Sequence, residues 1–217
     1  MKQFEHIIFD LDGTLTDSRQ GIGNSISYAL QKLNIEGFDG VVPDSFIGPP
    51  LQQCFREVFQ LNERNTELAV EYFREYYSAK GLYENHPYPG ILEVLEQLYL
   101  NGKHLYIATS KLEHYAVKIA EHFGFDKYIT QIKGADYKGE YASKTTIISS
   151  VLKMQKLTPS ENIAMVGDTV FDIVGGNQNG LTSIAVMYGF GKPEDLQTAG
   201  PDYWAETVDD LYEVLDR

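Results

Sequence analysis

Short uninterrupted apolar runs punctuate the chain, and apolar positions at helical spacing fill the intervals between them. Ile7 to Phe9, Leu105 to Ala108 and Ile163 to Val166 show no polar alternation, the pattern of strands buried on both faces of a parallel sheet. Tyr128 to Ile132 and Ser183 to Met187 read as two further strands. Ile91, Leu92, Leu95 and Leu98 mark a helix from Gly90 to Leu100. Ile147, Ile148, Val151 and Leu152 mark another beginning at Lys144, and Val208, Leu211, Val214 and Leu215 a closing one capped by Thr207. Ser110-Lys111-Leu112-Glu113 has capping-box spacing, which predicts a helix start there, continued by Ala116 to Phe123. Strands alternating with helices predict an α/β fold built on a doubly wound parallel sheet.

One stretch breaks the alternation. From Ser18 to about Tyr83 every periodic segment is helical. Ile22, Ile26, Ala29, Leu30 and Leu33 form one stripe, and Pro50 opens a second helix from Leu51 to about Gln60. A third helix follows Asn65, with Leu68, Ala69, Tyr72, Phe73 and Tyr76 on one face; those aromatics read as packing more readily than as a ligand pocket. The expected organisation is therefore an α/β domain of residues 1–17 and 84–217, interrupted by an all-helical domain of residues 18–83. The loop Ile47-Gly48-Pro49-Pro50-Leu51 joins two of the inserted helices. Gly48 permits close approach to a substrate there, and the loop reads equally as an interhelical turn.

Composition narrows the function. The chain has 217 residues, 43% hydrophobic and 23% charged, with a formal net charge of −13. That balance repels phosphate backbones and anionic lipid, so neither nucleic acid nor a membrane surface is an expected partner. Cys54 is the single cysteine, which leaves no disulfide framework and no cysteine metal site. The first apolar run is three residues long before Asp10, so no secretory leader is expected and a cytoplasmic enzyme fits.

The chemistry gathers where apolar runs stop. Ile7-Ile8-Phe9 ends in Asp10 and Asp12, which share a face if the strand continues and could then share a cation. Gly13 lets the chain turn away, and Asp12-Gly13 also reads as a plain turn. Leu105 to Ala108 ends in Thr109 and Ser110, and Ile163 to Val166 ends in Gly167-Asp168-Thr169, with Asp172 four residues on. The carboxyl ends of parallel strands lie along one edge of a sheet, where ligands bind. Three acids, a hydroxyl, a helix N-terminus and Lys144 would meet there.

The order of these residues resembles that of the haloacid dehalogenase superfamily, in its phosphatase branch with a helical cap of the C1 type. Asp10-Leu11-Asp12-Gly13-Thr14, Thr109, Lys144 and Gly167-Asp168-Thr169-Val170-Phe171-Asp172 carry the resemblance, with the helical insertion after the first of them. Thr16-Asp17-Ser18, Gly48-Pro49-Pro50-Leu51 and Thr109-Ser110-Lys111 resemble segments of phosphoglycolate phosphatase-type proteins. Gly175-Gly176 stands where a small alanine pair is more usual. The resemblance implies that Asp10 is a nucleophile forming an aspartyl-phosphate, and that Mg²⁺ is held by Asp10, the Asp12 backbone carbonyl and Asp168. It implies that Asp12 protonates the leaving oxygen and later deprotonates water. Thr109 and the Ser110 amide at a helix start would bind phosphoryl oxygens. Lys144 would add positive charge and shield Asp10, while Asp172 would hold Lys144 or a water of the metal. The implied partner is a small phosphorylated metabolite, 2-phosphoglycolate first, acted on by a monomer or homodimer. A 5′-nucleotidase or pyrophosphatase is the alternative, ahead of a sugar-phosphate mutase or a non-catalytic binding protein on the same scaffold.

Overall fold

The computed structural model describes residues 4–35, 38, 41, 46–47, 51–136 and 143–216. The chain divides into two compact units, residues 1–17 with 87–217 and residues 18–86. Gly48, Pro49 and Pro50 lie outside the described residues, as does most of the glycine-bearing loop after Asp136.

In chain order the elements are β1 (His6–Phe9), α1 (Arg19–Lys32), α2 (Leu51–Val58), α3 (Glu63–Tyr76), α4 (Ile91–Leu100), β2 (His104–Leu112), α5 (Glu113–Phe123) and β3 (Ile129–Ala135). There follow α6 (Lys144–Met154), β4 (Ile163–Gly167), α7 (Val170–Gln178), β5 (Thr182–Val186), α8 (Pro193–Ala199), β6 (Tyr203–Ala205) and α9 (Val208–Leu215). The six strands form one parallel sheet in the order β3-β2-β1-β4-β5-β6. Chain order reverses between β1 and β4, and that switch point is where an open α/β sheet leaves a crevice at its carboxyl edge. Register aligns the strand ends there. Phe9 pairs with Ile107 on one side and Val166 on the other, so Asp10 emerges beside Ala108 and Gly167.

The apolar runs are buried because helices cover both faces. Ile7, Ile8, Phe9, Leu105, Ile107, Ala164 and Val166 are fully enclosed. One face packs Ile8, Tyr106, Ala108 and Met165 against Ile147, Ile148, Val151 and Leu152 of α6. Thr207 caps α9 as expected, its hydroxyl accepting from the Asp210 amide at 3.1 Å.

The helical unit closes on its own aromatic core. Phe55 lies 5.7 Å from Phe46 and 6.5 Å from Phe73, and Phe73 stacks on Tyr77 at 5.4 Å between ring centroids. The aromatic face expected on α3 therefore splits. Phe73 packs inward, whereas Tyr72 and Tyr76 stay half-exposed, with Lys32 5.9 Å above the Tyr72 ring. This helix starts earlier than the spacing predicts, because the Asn62 side chain accepts from the Asn65 amide and caps it.

Three further differences separate the structure from the sequence expectation. Ser110 to Leu112 continue β2, and α5 begins only at Glu113, with no side-chain cap. The Glu113 carboxylate accepts from the Gly134 amide at 3.1 Å and pairs with Lys133 at 3.0 Å, so it is spent on β3 and not on a capping box. Strand β3 runs three residues past Ile132, to Ala135, and α8 and β6 were not foreseen.

Candidate active site

The α/β unit brings most of the expected residues together. Asp10 leaves β1 with its amide still donating to Val166 O at 2.9 Å, which extends the ladder by one residue and fixes the Asp10 backbone. Beyond it the chain folds into a tight loop: the Leu15 amide donates to Leu11 O at 2.9 Å and the Gly13 amide to Thr16 O at 2.8 Å. Gly13 has φ +86, and a Cβ there would stand 2.1 Å from Asp168 Oδ2. Only glycine meets both demands.

Asp10, Asp168 and Asp172 are all buried, with one carboxylate oxygen of each within 4.8 Å of the others. Lys144, on the first turn of α6, points its ammonium into this group. Its Nζ lies 2.7 Å from Asp10 Oδ1 and 2.8 Å from Asp172 Oδ1, and it donates to Ala108 O at 3.1 Å. Asp172 is held from the other side, because its Oδ2 accepts from the Thr169 amide at 3.0 Å and the Thr169 hydroxyl at 2.7 Å. One oxygen thus anchors to its own helix start while the other faces Lys144. Asp168 accepts from the Thr14 hydroxyl at 3.3 Å on Oδ1 and from the Phe190 amide at 2.7 Å on Oδ2.

One lysine does not balance three buried acids. Burial pushes the Asp10 carboxyl up to about 7; Lys144 opposes that rise and Asp172 adds to it. Burial also raises Asp168 well above the usual carboxylate range, helped by Asp172 and Asp10. Burial alone would depress Lys144, but Asp10 and Asp172 together hold its ammonium above the ordinary value. An all-oxygen cluster that retains protons for want of positive charge is the setting that a hard divalent cation suits. Asp10, Asp168 and Asp172 therefore fit a bound metal ion.

Asp12 stands apart. Its carboxylate is not in the three-acid group; Oδ2 pairs with Lys111 at 2.9 Å, and Oδ1 is buried without a hydrogen-bond partner among the described residues. The expectation that Asp10 and Asp12 side chains share a face fails because β1 stops at Phe9 and the loop turns Asp12 away. Thr109 is buried at the sheet edge, its hydroxyl accepting from the Lys111 amide at 3.2 Å. Ser110 is exposed and sits within a strand, so its amide is not at a helix start.

Sequence reasoning missed two features. Lys111 is the partner of Asp12, and the segment Tyr188 to Gly191 wraps Asp168. A Cβ on Gly189 would stand 2.3 Å from Asp168 Cβ, and one on Gly191 1.8 Å from Asp168 O. The Tyr188 hydroxyl donates to Thr14 O at 3.1 Å. Two glycines flanking Phe190 directly after an apolar strand were the available signal. Glycine at 175 serves the site too, since a Cβ there would press to 3.2 Å from Lys144 Cγ.

Comparison with known proteins agrees with this geometry. Residues 7–186 match the family model of haloacid dehalogenase-like hydrolases. A 5′-nucleotidase of Pseudomonas aeruginosa is 39% identical over 99% of this chain and 96% of its own length. The tyrosine-protein kinase PtkA of Mycobacterium tuberculosis is 35% identical over 96% of this chain and 72% of its own. A phosphoglycolate phosphatase of Aquifex aeolicus is 30% identical over 97% and 96%. Among solved structures, a haloacid dehalogenase-like hydrolase from Streptococcus pneumoniae superposes with a TM-score of 0.88 at 35% identity, covering 99% of this chain and 98% of that one. No helix among the described residues is long and apolar enough to cross a membrane.

Proposed function

Because the chain belongs to the haloacid dehalogenase-like hydrolase family, we propose that it hydrolyses phosphate monoesters of small metabolites through an aspartyl-phosphate on Asp10. The observation that carries this reading is the different setting of two acids one residue apart. Asp10 faces Lys144 and the buried carboxylates, whereas Asp12 turns away to Lys111 with one oxygen unpaired. A nucleophile beside a lysine and a separate proton carrier are what a two-step displacement needs.

Asp10 attacks phosphorus, the bond from phosphorus to the ester oxygen breaks, and Asp12 gives its proton to the departing oxygen. Asp12 then takes a proton from water, which attacks the aspartyl-phosphate and releases phosphate, restoring Asp10. Lys144 offsets negative charge at Asp10, and Thr109, buried at the end of its strand, would contact phosphoryl oxygens. Asp10, Asp168 and Asp172 would hold Mg²⁺, with the Asp12 backbone carbonyl as a further oxygen; the ion would supply the charge neutralisation that an anionic substrate requires. Residues 1–17 and 84–217 are assigned the chemistry, and residues 18–83, which carry none of these groups, substrate selection, with Gly48 as a candidate contact. A small acid phosphate such as 2-phosphoglycolate is the first substrate to test. A nucleoside 5′-monophosphate is the second, favoured by the 39% identity to the Pseudomonas 5′-nucleotidase.

The test is Asp10→Asn. An amide is a poor nucleophile, so turnover should fall by several orders of magnitude, about as in other enzymes stripped of a nucleophile. Circular dichroism and the melting profile should remain those of a folded protein. Retention of about a tenth of wild-type turnover would refute the assignment.

A further inference from the structure

Asp10, Asp168 and Tyr188 each lie just past the end of a parallel strand. The Met187 amide donates to Ala205 O at 2.9 Å, which carries the β5–β6 ladder one residue beyond Val186 and leaves Tyr188 next in line. From there the chain folds back over Asp168. A Cβ on Gly189 would stand 2.4 Å from Gly13 O and 2.6 Å from Asp168 Oδ2, so this segment passes against both Asp168 and the loop after β1. No step of the reaction described above uses Tyr188. Its hydroxyl nevertheless bridges these two parts of the site by donating to Thr14 O at 3.1 Å. Burial, then Tyr88 and Asp168, hold the Tyr188 proton above the usual phenol range, so the hydroxyl remains a donor at any working pH. The Tyr88 ring packs against it in a T-shaped contact, 4.8 Å between centroids.

The loop after β1 closes largely on itself. The Leu15 and Thr16 amides donate to Leu11 O at 2.9 Å and 3.0 Å, and the Gly13 amide donates to Thr16 O at 2.8 Å. Those bonds set the course of Asp12 without Tyr188. Thr14 is held less firmly from within, since its amide reaches Leu11 O only at 3.3 Å. Its carbonyl takes the Tyr188 hydroxyl, and its own hydroxyl donates to Asp168 Oδ1 at 3.3 Å. Asp168 is fully buried, so water does not readily replace a donor lost there. Its other oxygen accepts from the Phe190 amide at 2.7 Å, two residues beyond Tyr188. Both of these bonds to Asp168 therefore trace to Tyr188, one through Thr14 and one along the chain.

We propose that Tyr188 is a positioning residue for Asp168, fixing through Thr14 the direction in which that carboxylate meets a divalent cation. The inference rests on the cation site proposed above and adds a residue to its support. Groups that orient a metal ligand act on affinity for the ion. Asp10 and Lys144 lie outside this chain of hydrogen bonds, and Asp12 keeps the loop that aims it. The chemistry at phosphorus should therefore survive once the ion is bound. Loss of the Tyr188 hydroxyl belongs in the metal requirement and not in turnover at saturating metal.

The experiment titrates Mg²⁺ alone into wild type, Tyr188→Phe, Thr14→Val and the double variant by calorimetry, then follows hydrolysis of p-nitrophenyl phosphate against Mg²⁺ concentration. Phenylalanine keeps the ring against Tyr88 and removes only the donor; if circular dichroism shows that variant unfolded, Tyr188→Met takes its place. Tyr188→Phe should weaken Mg²⁺ binding by about threefold to tenfold, the size of one hydrogen bond. Thr14→Val, which removes the direct donor to Asp168, should weaken it by about tenfold to a hundredfold. Adding Tyr188→Phe to Thr14→Val should change it by less than about twofold, because the two act along one path. Turnover of Tyr188→Phe at saturating Mg²⁺ should return to within about twofold of wild type, a split that a general loosening of the fold would not produce. Unchanged Mg²⁺ affinity in Tyr188→Phe, additive losses in the double variant, or a fall in turnover that Mg²⁺ does not restore would each overturn the assignment. A wild type that binds no Mg²⁺ would overturn the cation site and this assignment with it. A wild type that binds Mg²⁺ but hydrolyses no phosphate ester would overturn the phosphatase reading alone, and the calorimetric comparison would still decide the role of Tyr188.

Discussion

Replacing Lys144 by methionine isolates the electrostatics of the acid cluster, because methionine keeps an unbranched stem against Gly175 and removes only the charge. Lys144 is 3% exposed at its side chain and answers Asp10 at 2.7 Å and Asp172 at 2.8 Å. Without it, three carboxylates remain within 4.8 Å of one another with no cation among the described residues in the group. Removing one partner of a buried ion pair costs about 3–5 kcal/mol. For a chain of this size each kcal/mol moves the melting temperature by about 2–4 °C, so the chelated variant should melt about 6–20 °C below wild type. A divalent cation at Asp10, Asp168 and Asp172, as proposed above, would replace the lost charge, so Mg²⁺ should raise the variant's melting temperature more than it raises that of wild type. Turnover should stay low even in Mg²⁺, by about a hundredfold to a thousandfold, as when one preorganised charge is removed from an active site. Differential scanning calorimetry of both proteins, in chelator and in Mg²⁺, measures all but the last of these. Equal melting temperatures in chelator would refute the role of Lys144 as counter-charge. A deficit of the same size with and without Mg²⁺ would refute the cation site.

Two further outcomes follow from geometry elsewhere. Gly13→Ala puts a Cβ at a φ of +86 and 2.1 Å from Asp168 Oδ2; it should cost more than about 1 kcal/mol in urea unfolding and displace Asp168, so that activity falls with stability. Cys54 is buried and its thiol is pushed up to about 11, chiefly by burial and then by Glu57. At pH 8 only about one molecule in a thousand then carries the thiolate. Iodoacetamide should therefore label native protein far more slowly than urea-unfolded protein, and comparable rates would show that the helical unit opens readily around Cys54.

The strands at the centre of the sheet were legible because burial on both faces leaves no polar residue to break the run. Ile7 to Phe9 and Ile163 to Val166 are fully apolar for that reason, and their polar successors fall at the sheet edge as a parallel register requires. The β6 edge of the sheet was not legible. Tyr203-Trp204-Ala205 is three residues long, with Trp204 exposed, and so presents no pattern that a turn could not also present. Ser110 to Glu113 was misread because a capping box and a bulged strand end can share one spacing. The choice between them lies with Gly134, more than twenty residues along the chain, whose amide takes the carboxylate that a cap would have used.

The same distance separates what could and could not be read of the site. Asp10, Asp168, Asp172 and Lys144 were legible because each sits at the end of a strand or the start of a helix, where local pattern marks the position. Asp12 was legible as a residue but not in its direction. Strand periodicity would point it with Asp10, and the hydrogen bonds from Leu15 and Gly13 that close the loop send it elsewhere. That divergence matters to the chemistry. Were Asp12 on the same face, it would add a further carboxylate to a group whose protons are already hard to remove, and it could not serve as a separate acid. The turn after Phe9 thus does two things at once: it keeps the cluster to a charge that one lysine and one cation can balance, and it delivers Asp12 to Lys111. The requirement for Gly13 comes from both sides of that turn, its positive φ and the carboxylate pressed against its Cα.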